Sequence, residues 1–130
     1  MKMKGHALTL LVSLAIVVLS TIPIPEHPPL GDVPLIDKWV HMVMYGGLAF
    51  AMWMDRVWLA RRRMSRGYWW CILLYPTILG GLMELVQAYV VTCRSGDWID
   101  FEADAIGVVL AMACLMFTDK LWKEKISVRR

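Results

Sequence analysis

Residues 68–91 run for 24 positions with one charged side chain, Glu84. That length covers the ~20 residues a helix needs to cross a bilayer core about 30 Å thick. A chain that enters hydrocarbon must satisfy its backbone hydrogen bonds within each segment, so such a run constrains the fold to helix. Three more apolar stretches accompany it. Residues 7–22 follow Lys2 and Lys4, in the manner of a signal sequence with a charged start and an apolar body. No small-x-small cleavage site precedes the prolines, so this stretch reads as an uncleaved first span rather than a cleaved signal, and either reading leaves the N-terminus in the cytoplasm. The second stretch has only His41 as an ionisable group between Trp39 and its end, and reaches full length by drawing Asp37 and Lys38 to the interface. Residues 105–118 alone are too short to cross, and the last span is complete only if it starts near Trp98 and includes Asp100 and Asp104. The expectation is an all-α, polytopic membrane protein forming a single domain over residues 1–130. Its four transmembrane helices cover about 5–23, 35–57, 67–91 and 98–119, with both termini cytoplasmic.

The distribution of charge gives the orientation. Lys2 and Lys4, the arginines at 56, 61, 62, 63 and 66, and the basic tail from Lys120 all fall on one side of a four-span arrangement; only Lys38 and Arg94 fall on the other. Positive charge in short loops beside apolar segments marks the cytoplasmic face, which makes a nucleic-acid partner a poor account of the basic pI. Glu26, Asp32, Asp37, Glu84, Asp97, Asp100, Glu102 and Asp104 gather on the opposite side. A hydrophobic content of 58% exceeds the ~45–50% of soluble domains. Cys71, Cys93 and Cys114 show no metal-ligand spacing, and no disulfide is expected. Five prolines between positions 23 and 34 make the first outer loop extended. Gly46-Gly47 and Gly80-Gly81 are expected to admit close helix neighbours, and Pro76 to kink the third span.

The charged groups left inside the oily segments carry the functional reading. An ionisable residue at the centre of a membrane helix costs about 2.5–3.5 kcal/mol on insertion scales, so its presence asks for a reason. In the topology above, the outer ends of the second, third and fourth spans lie at one depth. Lys38, His41 and Tyr45 share a face; Glu84 and Gln87 are an i,i+3 pair; Asp100 and Asp104 are an i,i+4 pair. Lys38, Arg94, Tyr45 and Gln87 are candidates for binding an anionic group. His41, Glu84, Asp100 and Asp104 are candidates for acid–base work. A divalent cation held by His41, Glu84 and an aspartate suits the donor types, but ranks below acid–base chemistry because the spacing matches no dedicated metal motif. A purely structural account, with Lys38 paired to Asp100 and Arg94 to Glu84 as glue between helices, competes with both. These residues do not specify a reaction, and whether the site is catalytic stays open.

The ordered set Asp37-Lys38-x-x-His41, Tyr45, Glu84-x-x-Gln87, Arg94 and Asp100 with Gly107 seven positions on resembles the VanZ-like membrane proteins over roughly residues 35–116. In that family an asparagine commonly stands three positions before the final glycine. Here the position is Asp104, which adds a carboxyl group and leaves an asparagine-dependent role without its residue. The resemblance implies a small multi-pass protein of the bacterial cytoplasmic membrane, related to a founding member linked to teicoplanin resistance. It implies an extracytoplasmic pocket acting on membrane lipid, a lipid-linked substrate or a lipoglycopeptide. The rival expectations are a non-catalytic binding module and a structural partner.

Overall fold

The computed structural model of the chain describes residues 5–22, 34–91 and 96–128. The proline-rich loop with Glu26, His27 and Asp32, and the turn that holds Cys93 and Arg94, lie outside them. All regular structure among the described residues is helical: α1 (Ala7–Thr21), α2 (Ile36–Met54), α3 (Arg66–Tyr89) and α4 (Trp98–Val128). A π-helical turn, Asp55–Leu59, prolongs α2. α3 and α4 are each long and apolar enough to cross a membrane. α1 has 15 residues, and at 1.5 Å per residue it extends only ~22 Å. α4 continues nine residues past the end expected at 119. Nothing in Asp119-Lys-Leu-Trp-Lys breaks a helix, and Lys123 pairs with Asp119 at i,i+4, 2.6 Å apart.

The helices are built inside-out relative to a soluble bundle. α1 buries Thr9, Ser13, Ile16 and Ser20, one stripe of mostly small polar residues, and leaves Leu10, Leu11, Leu14 and Leu19 exposed. Water favours the reverse arrangement. α3 likewise buries Gly80, Glu84 and Gln87 while Leu74, Ile78, Leu82 and Leu85 face outward. Lipid is the solvent that matches these outer faces, because it offers no penalty for exposed leucine and leaves small and polar residues to make the helix contacts. The shared core is Ile16, Tyr45, Leu48, Ala49, Met52, Ile72 and Val108.

α2 and α4 approach most closely, and the reason is local. A Cβ added at Gly107 would sit 2.7 Å from Met42 Cα, and one added at Gly46 would sit 3.1 Å from the Gly107 carbonyl oxygen. The backbones touch where both residues lack side chains. Gly47, one position on, has nothing within 4 Å, so only half of the Gly46-Gly47 pair serves the contact. α3 stays continuous through the buried Pro76.

The opposite end of the bundle is tied by a residue that reads in the sequence as part of a topology loop. Asp55 is fully buried, and its carboxylate accepts hydrogen bonds from Leu8 N (3.1 Å), Thr9 N (2.7 Å) and Thr9 Oγ1 (2.7 Å). His6 precedes α1 without a side-chain cap of its own, so α2 supplies the acceptor for the unpaired N–H groups at the start of α1. Ser65 caps α3 by accepting from Tyr68 N, the Tyr68 hydroxyl donates to the Met52 carbonyl (3.0 Å), and the Arg56 guanidinium lies 4.7 Å over the Tyr68 ring.

Candidate functional site

At the end where α2 and α4 begin, three helices bring their polar side chains together. Lys38 and His41 are one turn apart on α2, and Asp100 and Asp104 one turn apart on α4. The glycine contact between the two helices holds these pairs face to face. The Lys38 ammonium donates to Asp37 (2.7 Å), Asp97 (3.2 Å) and Asp100. One turn deeper, His41 Nδ1 and Asp104 Oδ1 are 2.8 Å apart, and His41 Nε2 faces Asp100 Oδ2 at 3.8 Å. α3 contributes Glu84: one donor atom from each of His41, Glu84 and Asp104 lies within 4.8 Å of the other two.

The cluster is graded in depth. Side-chain exposure falls from 58% at Asp37 and 43% at Asp97, through 16% at Lys38, to 13% at Asp100, 10% at His41 and zero at Asp104. Solvent therefore meets the aspartates at the rim first, and the histidine–aspartate pair closes the bottom. Asp104 Oδ2 is buried without a hydrogen-bond partner. It lies against Gly80 of α3, where an added Cβ would come within 2.7 Å of it.

Each candidate residue has a definite place. His41, Glu84, Asp100, Asp104 and Lys38 converge as the topology argument expects, and the Lys38–Asp100 pair of the structural account is present. Tyr45 stacks beneath His41, ring centroids 6.4 Å apart and planes at 17°, which makes it a floor for the imidazole and a member of the core. Gln87, expected to bind substrate, donates its side-chain amide to the Ser20 carbonyl (3.0 Å), joining α3 to the end of α1. At i+3 from Glu84, it lies round the helix toward α1 rather than α4. Arg94 lies outside the described residues. Glu84 also does structural work, accepting from the backbone N–H of Asp97 (2.8 Å) and so fastening the start of α4 to α3.

Asp97 is the site residue that the sequence reading placed only among the acidic outer groups. The available signal is its position just before Trp98, as the N-cap of α4. Its Oδ1 accepts from Ile99 N (2.9 Å) while Oδ2 accepts from Lys38. The Ile99 backbone N–H, and then the Lys38 ammonium, hold this carboxyl below the ordinary aspartate range.

A cavity of about 430 Å³ lies at the far end of the bundle, lined by Trp53, Trp58, Arg61 and Trp122 among others. It contains no member of the cluster.

The arrangement defines a class: a helical protein with apolar outer faces and a buried histidine–carboxylate cluster opening at one end. No protein-family model, curated protein sequence or solved structure matches the chain.

Proposed function

We propose that all four helices span the bacterial cytoplasmic membrane, with both termini inside. The cluster then faces the extracytoplasmic surface and acts on the headgroup of an anionic lipid or lipid-linked envelope compound, as a VanZ-like protein. The observation that carries this reading is the graded cluster itself: seven polar side chains from three helices, arranged from an open rim to a closed histidine–aspartate pair. Helix glue needs one or two pairs, and groups this costly to place near lipid are retained for work. His41 with Asp104 is the proton-handling pair, Tyr45 fixes the plane of the imidazole, and Asp100 and Glu84 flank it. The reaction class is hydrolysis or transfer at a phosphate or acyl group, and a link to lipoglycopeptide susceptibility follows from the same resemblance.

The experiment is expression of the wild type, His41→Ala, Asp104→Asn and Asp100→Ala in a bacterial host, with membrane insertion quantified. Headgroup composition is read by lipid mass spectrometry alongside teicoplanin susceptibility. The expected result is a wild-type change in one or both readouts that the inserted variants lose. Wild-type activity in all three variants sinks the catalytic reading.

A second reading, a non-catalytic binding or assembly module, draws on Gln87–Ser20 and Glu84–Asp97, where cluster-facing positions hold helices together. It predicts that loss of function in each variant tracks loss of stability, with no product formed.

A further inference from the structure

The charges in the cluster do not balance. Asp37, Glu84, Asp97, Asp100 and Asp104 bring five carboxyl groups to the described site, against one lysine and one histidine. Lys38 already contacts three of the five, so it has little charge left for an anionic headgroup. Among the described residues, the deeper acids, Glu84 and Asp104, have only His41 between them. A surplus of carboxylates in surroundings of low dielectric calls for a cation or for protons.

We infer that His41, Glu84 and Asp104 form a binding site for one divalent first-row metal ion, zinc or manganese in character. The inference deepens the headgroup reading of the same site: with the ion bound, His41 and Asp104 serve as ligands in place of the proton-handling pair. The ion supplies the positive charge that an anionic headgroup needs and that Lys38 is not free to give.

The donor set and its geometry carry the assignment. His41 Nδ1 and Asp104 Oδ1 stand 2.8 Å apart, within the ~4.2 Å that two donors on one ion at bonds of about 2.1 Å can span. The other ring nitrogen, Nε2, is left facing Asp100 Oδ2, 3.8 Å away. Glu84 comes from the third helix, with one donor atom each from His41, Glu84 and Asp104 mutually within 4.8 Å. The independent sign is Asp104. It is fully buried, and Oδ2 has no partner although a buried carboxylate oxygen rarely goes without one. Gly80 keeps the space beside that oxygen free of a side chain. One imidazole nitrogen with carboxylate oxygens selects zinc or manganese over calcium, which takes six to eight oxygens.

The test uses the full chain, purified in detergent through an affinity tag without histidine. It is stripped with a chelator, reloaded with Zn²⁺ or Mn²⁺ and passed over a sizing column. Metal is then counted by inductively coupled plasma mass spectrometry. About one ion per chain is expected, with affinity at least ~10-fold weaker in Glu84→Gln and Asp104→Asn at unchanged helicity and elution. His41→Gln serves as a third variant should either of those misfold, and Mn²⁺ electron paramagnetic resonance of the wild type reports nitrogen coordination directly. A folded wild type that retains neither ion, or variants that retain it as well as the wild type does, overturns the site. Metal counting needs no substrate. An ion bound without any change in lipid or susceptibility therefore leaves this inference standing and removes the headgroup reading; the converse pattern does the opposite.

Discussion

Single residues decide whether the cluster can assemble. Gly107 is the sharpest case, because any side chain there meets the Met42 backbone. Gly107→Ala should destabilise the protein by about 1–3 kcal/mol, as overpacking does. Gly47→Ala, with open space around it, should be neutral or stabilising by up to ~1 kcal/mol through helix propensity. Thermal unfolding of the two variants in one detergent checks the pair, and equal losses would remove the close-contact explanation. The His41–Asp104 pair is sensitive in another way. His41→Ala leaves a buried carboxylate uncompensated, for which a loss of about 3–5 kcal/mol is expected in the same measurement. Asp97 sits at the rim and sets an acid limit. Its carboxyl is depressed in the folded state, so its contribution is complete above the unfolded value of about 3.9 and is lost as the pH falls through the lower folded value. Loosening of the α4 start that depends on Asp97 should thus appear only below about pH 4. Hydrogen exchange at Ile99 in wild type and Asp97→Ala tests this, and equal Ile99 protection in the two proteins at pH 7 would argue against the cap.

Between helices, the contacts that matter are side chains serving another element's backbone. Asp55 serves the N-terminus of α1, Gln87 its C-terminal end, and Glu84 the start of α4. Asp55→Ala should cost about 1–2 kcal/mol, the usual effect of losing a helix cap. The loss should be local, seen as faster proteolysis or exchange in α1 while α2–α4 keep their protection. Uniform loss of protection across all four helices would show that Asp55 supports the whole bundle instead. None of these three pairings has a sequence signature, because each joins residues 13 to 67 positions apart. The helices themselves were readable: the run in α3 with Glu84 as its one charge and the need for α4 to begin near Trp98 both rest on hydropathy, a local property. The Ser20 partner of Gln87 was hidden for the same reason. Its spacing from Glu84 is right for one face, but packing decided which neighbour that face would meet.

For the molecule as a whole, the four-span topology makes a prediction about sidedness. After Cys71, Cys93 and Cys114 are replaced, single cysteines introduced at Asp37 and at Arg62 should label from opposite faces of intact cells or inverted vesicles with a membrane-impermeant thiol reagent. Labelling of both from one face would overturn the orientation, and with it the extracytoplasmic placement of the cluster. The exposed leucines of α1 bear on the same point, since a stripe of threonine and serine is what this helix buries. Detergent or lipid should be required to keep the chain monodisperse, as outer faces of this kind associate in water.

Hydropathy and charge, which act locally along the chain, were enough to determine that this protein is helical, where its apolar segments lie, and that His41, Glu84, Asp100 and Asp104 belong at one end of the bundle. The tertiary structure decided the rest: that Lys38 is enclosed by three carboxylates, that Asp104 lies at the bottom with an oxygen unpartnered, and that Asp55 and Gln87 fasten α1. Those outcomes depend on the rotation of each helix about its axis, which packing between helices fixes, for α2 and α4 where Gly46 and Gly107 let the backbones touch, and not any property of one segment alone.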